Sequence, residues 1–445
     1  MERLLGYASA YAAAAVLQKG AGFALFIWLA AALTVEEYAR FGLFFAFQTG
    51  IAALLGAGIV EPVVGMLKEH QEGVGRQRLL AAGFGVFTIV ASIVFLAIAA
   101  FSVPLSLEIN SDIPGLFILF IVGMLSAFFI LQAHLIRLDE RHVASLMLNN
   151  IPMFMAFFLG FVAFVAFGSV ESLFGGMAIG LGVSFVAMFG LRLNPRFVFS
   201  SPEISRKILV RMPPYVAIAI AAWLTGYGST YLINALFTAG DVSRFTFAYT
   251  LSSVLQLVAT SLNQVWSPRF YRIVHEKPHM EVAKESDSFF LWQGFIIGLV
   301  GFAVLLVFPT AIELAGDRLE AYRGLSLGLG LLLGAYAVSI PWYHAQNYFF
   351  AHSRGPDLMT LVLTSSIIGI ALWLLAIWYL GPIGAFLGFA LQMIVRGILI
   401  EIRAHRLWRT RVPWRGMALA LVFIAAGVVA GPLLQTWLVP ILTGS

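Results

Sequence analysis

The sequence predicts an all-α polytopic membrane protein, with two six-helix bundles around a central cavity and one extra C-terminal span. Hydrophobic residues make up 60% of the 445 residues and charged residues 11%, whereas about a quarter of the residues of soluble domains are charged. Apolar runs recur from end to end, and about 20 apolar residues in a helix cross a ~30 Å hydrocarbon core. A connecting segment also occurs twice, which indicates an internal repeat.

Thirteen runs are long and apolar enough to be read as helical spans. Their approximate limits are 5–33, 42–66, 79–103, 116–136, 143–168, 172–191, 209–236, 245–266, 288–312, 324–350, 358–380, 383–402 and 416–440.

The distribution of positive charge predicts the orientation. If the N-terminus is cytoplasmic, the inner connections hold most of the Lys and Arg residues. The outer connections then hold only Arg40, Arg244, Arg318 and Arg323. Cytoplasmic loops of membrane proteins carry an excess of these residues, so we expect the N-terminus on the cytoplasmic side.

The repeated segment runs from Leu33 to Phe45 and again from Phe237 to Tyr249, at an offset of 204. A second match pairs Gly176 and Gly180 of the sixth span with Gly384 and Gly388 of the twelfth. Small residues four apart let helices approach closely in a membrane. Six spans repeated twice share one orientation, an arrangement that transporters use to build a central cavity.

Two stretches carry a family resemblance. LTVEEYARFGLFFAFQTGIAALLGAGI, from Leu33, and YLGPIGAFLGFALQMIVRGIL, Tyr379 to Leu399, resemble bacterial polysaccharide transporters, or oligosaccharide flippases. These belong to the multidrug/oligosaccharidyl-lipid/polysaccharide (MOP) exporter superfamily. The sequence departs from the family pattern at Ala39, where glycine is common, and in having thirteen spans where twelve or fourteen are usual.

The resemblance implies a division into three parts: a six-helix bundle over 1–207, a second over 208–402, and a basic cytoplasmic loop with an additional span over 403–445. It also implies flipping of a polyprenyl-pyrophosphate-linked oligosaccharide across the bacterial inner membrane for surface polysaccharide biosynthesis. Polysaccharide polymerases or glycosyltransferases are the expected protein partners.

Lys19 is the first candidate for binding the substrate. It lies near the middle of the first span, where a charge costs at least ~2.5 kcal/mol. We expect it to face a wet cavity or an anion such as the pyrophosphate. The alternative is a lysine hydrogen-bonded to carbonyl groups between helices.

Four further residues are candidates for the substrate pathway. Arg396, near the inner end of the twelfth span, either contacts the pyrophosphate or extends to the membrane interface. His344, in the tenth span, binds sugar or phosphate, or titrates, or is a structural hydrogen-bonding group. Gln18 and Asn263 either line a sugar pathway or join helices.

Glu61 precedes Pro62 at the inner end of the second span. A proton or sodium site usually needs a buried carboxylate, and Glu61 is the acidic residue nearest the membrane interior in the first bundle. It is therefore the candidate for ion coupling, with a solvated carboxylate at the interface as the alternative.

The sequence contains no cysteine, no metal-binding His/Glu spacing and no phosphate-binding or nucleophile motif. We therefore expect no enzyme activity, no cofactor and no metal. The stretch RAHRLWRTRVPWR, Arg403 to Arg415, is basic but lies between two spans, so it predicts contact with anionic membrane lipids and no contact with nucleic acid.

Two other functions remain open. A cation-coupled exporter of small molecules or drugs, from the same superfamily, would be favoured by a deep carboxylate in the first or seventh span. A membrane-embedded glycan polymerase would need a long outer loop carrying catalytic groups. The sequence has neither feature.

Overall fold

The computed structural model describes residues 20, 22–66, 73–138, 142–190, 201–352 and 354–443. This part of the chain consists of α-helices and one short 3-10 helix, without a strand. Twelve of its helical segments are long and apolar enough to cross a membrane, and they coincide with the second to thirteenth predicted spans. Of the first span, residues 20 and 22–33 are described, and they include α1 (Gly22–Ala32). The protein is a multi-pass membrane protein.

The chain forms two compact units. The first holds the described residues up to Leu25 and those from Arg40 to Tyr231, and the second holds Phe26–Ala39 and the chain from Leu232 onward. The boundary therefore crosses α1 and the beginning of α2 (Val35–Met66). The division of the sequence at residues 207 and 402 stays a prediction.

The first unit contains most of α2 and six further helices. They are α3 (Gly73–Ala100), α4 (Ser102–Glu108), α5 (Ile113–Leu138), α6 (His142–Phe167), α7 (Val170–Gly190) and α8 (Pro202–Thr225).

The second unit contains the remaining helices, except for the start of the first one. They are α9 (Ser229–Leu236), α10 (Ala239–Glu276), α11 (His279–Leu314), the 3-10 helix Gly316–Tyr322, α12 (Ser326–Val338), α13 (Ile340–Ala351), α14 (Gly355–Leu380), α15 (Pro382–Trp408) and α16 (Trp414–Thr443). The residues of α9 up to Tyr231 belong to the first unit.

Two predicted spans are each interrupted. The seventh, predicted as one helix over 209–236, consists of α8 and α9 with a turn at Gly226–Gly228. The backbone N–H of Gly228 donates to the carbonyl of Trp223 at 2.8 Å, and a Cβ at Gly228 would lie 2.9 Å from that same oxygen. The tenth span is divided at Ser339 into α12 and α13, and Pro341 occupies the first turn of α13, where a proline needs no hydrogen-bond donor.

The glycines of the predicted GxxxG pairs lie at close helix contacts. In the first unit, a Cβ at Gly180 would lie 2.6 Å from the carbonyl oxygen of Met155 on α6. In the second unit, a Cβ at Gly384 would overlap the carbonyl of Ala376 on α14. Only glycine permits these approaches, so α6–α7 and α14–α15 use the same packing device.

The repeated segment makes the same local contacts in both copies. Thr34 and Glu37 exchange hydrogen bonds between side chain and backbone at the start of α2, at 2.9 and 3.2 Å. Thr238 and Asp241 do so at the start of α10, at 3.1 and 3.3 Å. These are capping boxes, which satisfy the first N–H groups of a helix.

The arginine of each copy donates a hydrogen bond to a backbone carbonyl 70 or 77 residues further along the chain. Arg40 Nε donates to the carbonyl of Asn110 at 2.7 Å, and Arg244 Nε donates to the carbonyl of Ala321 at 2.7 Å. The two copies thus agree both in their caps and in the contact of their arginine with a backbone carbonyl further along the chain.

The thirteenth span is packed into the second unit. α16 lies against α11, where a Cβ at Gly298 would lie 2.9 Å from the Cα of Ala420. Near the other end of the pair, Gln435 Nε2 donates to Glu313 Oε2 at 3.3 Å. Small residues and one polar contact therefore hold this extra helix along its length.

Candidate functional site

A group of polar side chains lies inside the second unit, on α10, α13, α14 and α15. We call it the polar cluster, and its members are Asn263, Ser267, His344, Asn347, Ser366, Gln392, Arg396 and Glu401. Polar groups buried within a membrane protein are costly and tend to mark ligand or ion pathways.

Arg396 brings a positive charge into this cluster. Its Nη2 makes a long contact of 3.5 Å with Ser366 Oγ on α14, and its Cζ lies 5.8 Å from the centre of the Trp342 ring on α13. Tyr249 and Tyr343 lie near it. No carboxylate among the described residues forms an ion pair with Arg396. The Nε atom of Arg396 is buried and has no hydrogen-bond partner among the described residues.

Gln392 lies one helical turn before Arg396, on the same face of α15. Its side chain is completely buried, and neither its amide nitrogen nor its amide oxygen has a hydrogen-bond partner within the described chain. Buried polar atoms are nearly always hydrogen-bonded. Gln392 and Arg396 together therefore offer donors, an acceptor and a positive charge that the described protein groups leave unused.

His344 and Glu401 form a second part of the cluster. His344 Nδ1 lies 3.0 Å from Glu401 Oε2, and Thr410 Oγ1 donates to Glu401 Oε1 at 2.6 Å. The side chains of His344 and Glu401 are 3% and 4% exposed. The carboxylate thus joins α13, α15 and the loop that precedes α16.

Asn347 joins α13 to α10. Its Nδ2 donates to Asn263 Oδ1 at 3.0 Å, and its Oδ1 accepts from Ser267 Oγ at 2.8 Å. Asn263 therefore takes part in helix-to-helix hydrogen bonding. Because Asn347 is 1% exposed, this contact is structural in character.

The sequence-predicted site residues divide into two groups. Arg396, His344 and Asn263 are described and lie in the same unit. Lys19 and Gln18 lie outside the described residues, and the side chain of Glu61 also falls outside the described part, although its backbone belongs to α2. Their roles stay predictions.

Sequence reasoning missed Glu401, Gln392 and Thr410. Glu401 had a usable signal, because it is an acidic residue within the predicted twelfth span, 383–402. Gln392 and Thr410 had none, since an isolated glutamine in a span or threonine in a loop is common. The described residues contain no group of three His, Asp or Glu side chains that could hold a metal ion.

Solved structures with a similar fold are transporters and a flippase. One is the lipid II flippase MurJ in an inward closed conformation, with a TM-score of 0.68, 12% identity and coverage of 97% of this chain and 98% of that one. Another is an inward-facing multidrug resistance MATE family transporter of the MOP superfamily, with a TM-score of 0.65, 15% identity and coverage of 88% and 94%.

A third similar structure is the MATE multidrug transporter DinF-BH in complex with R6G, with a TM-score of 0.62, 15% identity and coverage of 91% and 95%. At these identities the likeness establishes the fold. No curated protein matches the chain at a significant level.

The sequence itself matches a family model. The model is described as "Polysaccharide biosynthesis protein", and the match covers residues 5–274, more than half of the chain. The resemblance first noted at the repeated segment is thereby confirmed, and the chain belongs to the polysaccharide biosynthesis protein family.

Proposed function

We propose that this protein flips a polyprenyl-pyrophosphate-linked oligosaccharide from the inner to the outer leaflet of the bacterial cytoplasmic membrane, for surface polysaccharide biosynthesis. The family supports a role with polysaccharide, and a lipid II flippase shares the fold. In this proposal the N-terminus is cytoplasmic, and a polysaccharide polymerase or glycosyltransferase acts before or after the transport step.

One observation in the second unit supports the assignment of substrate binding to particular residues. Arg396 is a cation without a carboxylate partner among the described residues, and Gln392 beside it has an unpaired amide. A guanidinium group binds phosphate oxygens through two parallel hydrogen bonds. Amide groups suit phosphate and sugar oxygens equally. We assign the pyrophosphate to Arg396 and the adjoining polar group of the cargo to Gln392.

The first test is deletion of the gene in its own organism. Intact cells without their outer layers are first treated with a membrane-impermeant oxidant of sugars, which modifies only outer-leaflet glycans, and the lipid-linked glycans are then extracted and compared. The proposal expects accumulation of a polyprenyl-linked oligosaccharide on the cytoplasmic side, with loss of surface polysaccharide. An unchanged glycan profile in both leaflets, with no redundant transporter present, would reject it.

The second test uses the accumulated lipid as the substrate. Proteoliposomes containing the purified protein should move this lipid to the side accessible to the oxidant. Liposomes without protein are the control. Movement at the same rate in both preparations would reject a direct role in flipping even if the deletion alters the glycans.

The second candidate function is cation-coupled export of small molecules. The buried carboxylate of Glu401 beside His344 favours it, because coupling ions in membrane transporters are usually bound by buried acids. In everted membrane vesicles, this function predicts a proton-driven uptake of cationic dyes that Glu401→Gln abolishes. The flippase proposal predicts no dye uptake above that of vesicles from the deletion strain.

A further inference from the structure

Two cavities lie side by side at one end of the second unit. The first has a volume of about 620 Å³ and the second about 660 Å³. Both are bordered by the loop between α15 and α16, and they share His405 and Val412 as lining residues. The loop thus separates two neighbouring spaces of similar size.

The first cavity is mainly apolar, although Glu401, His405 and Arg406 also line it. Its lining comes from α12, α13, α15 and α16 and includes Val338, Pro341, Ile394, Ile398, Ile402 and Met417. Ile398 and Ile402 are 53% and 45% exposed, so the cavity opens at the surface of the helices. At a depth crossed by membrane-spanning helices, such a groove suits a hydrocarbon chain.

The second cavity has cationic groups. Arg411 and Arg415 line it, together with His405, Ser288 and one acid, Asp287. Arg415 lies over the ring of Trp414, with 5.6 Å from its Cζ to the ring centre. Trp414 is 59% exposed, as is typical of tryptophans at the membrane interface.

The loop and the adjoining ends of α15 and α16 carry more positive charge than their surroundings neutralise. Arginines stand at positions 403, 406, 409, 411 and 415. None of the five forms an ion pair with a carboxylate of a described residue. Arg411 Nη2 lies 3.9 Å from the sulfur of Met280. Exposed arginines next to a span attract anionic headgroups.

The loop is joined to α15 by hydrogen bonds. Thr410 donates to the buried carboxylate of Glu401, and His405 Nδ1 lies 2.7 Å from the carbonyl oxygen of Thr410. Arg409 closes α15 with a left-handed backbone, φ 53°. The position of the arginines relative to the apolar groove is therefore set by the fold.

We propose that these two cavities bind one anionic glycerophospholipid of the membrane. An acyl chain occupies the apolar groove, and the phosphate lies between Arg411 and Arg415 in the second cavity. This lipid is a resident ligand of the second unit, separate from the transported glycolipid. Its binding does not depend on the proposed function, since it needs only the described groove and loop.

The test is native mass spectrometry of the full-length purified protein with phosphatidylglycerol and phosphatidylcholine of identical acyl chains. We expect one tightly retained phosphatidylglycerol and weaker binding of phosphatidylcholine. In Arg411→Gln/Arg415→Gln, the affinity for phosphatidylglycerol should fall by about five-fold for each arginine. The matched control is Arg272→Gln/Arg318→Gln, which removes two exposed arginines that line neither cavity.

A second variant tests the groove. Ile402→Asn should weaken the binding of both phospholipids alike, because it makes the acyl-chain site polar while keeping the arginines. Glycerophosphoglycerol, which has no acyl chains, should not compete with phosphatidylglycerol for binding. The proposal is overturned if wild type retains both lipids equally or if the double arginine variant binds phosphatidylglycerol as wild type does. It is also overturned if a polyprenyl phosphate displaces the phospholipid one for one, since the site would then belong to the cargo.

Discussion

The imidazole of His344 lies 3.0 Å from the carboxylate of Glu401 in the interior of the second unit, although 57 residues separate them in the chain. Glu401 has a further partner in Thr410. One buried acid therefore connects the short helix α13, the long helix α15 and the basic loop after it. The first prediction follows from this connection.

Glu401→Ala should lower the thermal stability of the purified protein. The substitution leaves His344 and Thr410 without their acceptor in a buried place, and leaving a buried hydrogen-bonding group unsatisfied costs about 1–3 kcal/mol. Glu401→Gln keeps the volume and one acceptor, so its loss should be smaller. The midpoint of thermal unfolding in detergent measures both. Glu276→Ala, at an exposed position near the end of α10, is the control. Equal midpoints for Glu401→Ala and wild type would contradict the prediction.

Arg396→Ala should weaken binding of the lipid-linked oligosaccharide by about ten- to one-hundred-fold, the range for hydrogen bonds to charged groups. Arg396→Lys keeps the charge but loses the two-pronged geometry, so its binding should be intermediate. Equilibrium binding of the purified pyrophosphate lipid measures the effect, with Arg272→Ala as a control on an exposed arginine. If Arg396→Ala and Arg396→Lys both bound the lipid as wild type and the control do, Arg396 would be removed from the proposed site.

Gly176→Ala and Gly175→Ala should change stability in opposite directions. A Cβ at Gly176 would overlap the backbone of Leu159, whereas a Cβ at Gly175 would meet nothing within 4 Å. Overpacking costs about 1–3 kcal/mol, and alanine in an open helical position gains up to about 1 kcal/mol over glycine. Unfolding midpoints of the two variants provide the comparison. A loss of the same size in both would show that the α6–α7 contact is not the cause.

Lys19→Ala should lower export, and Lys19→Arg should retain more of it, because the sequence places a positive charge deep in the first span where it attracts an anion. Surface polysaccharide at matched protein expression is the measurement. Normal export by Lys19→Ala would withdraw Lys19 from the site. Wild-type expression with failed export in both variants would instead indicate a need for the lysine amine itself.

Much of the fold was predictable because its causes are local. The length and apolar character of each span are set by the thickness of the hydrocarbon core, so twelve spans of the described chain lie where hydropathy placed them. The capping boxes at Thr34 and Thr238 join residues three apart, and local sequence is sufficient to form them. The GxxxG pairs were also visible, since only glycine allows such close packing.

The site was predicted only in part. Arg396, His344 and Asn263 stood out as polar residues within spans, but their partners did not. Asn263 meets Asn347 across 84 residues, and no periodicity shows which helix faces which. Similarly, the turn at Gly226–Gly228 divides the seventh predicted span because the backbone of Gly228 folds back onto Trp223, a geometry that hydropathy does not measure.

The sequence by itself thus determined the membrane environment, the position of the spans and the repeat of the connecting segment, because burial in lipid and helix capping act on neighbouring residues. The tertiary structure alone decided that Phe26–Ala39 belongs to the second unit, that Glu401 is paired, and that Gln392 and Arg396 have polar atoms left unpaired by the described residues. These features depend on which helix faces pack together, and that choice is made by the free energy of the whole assembly of helices.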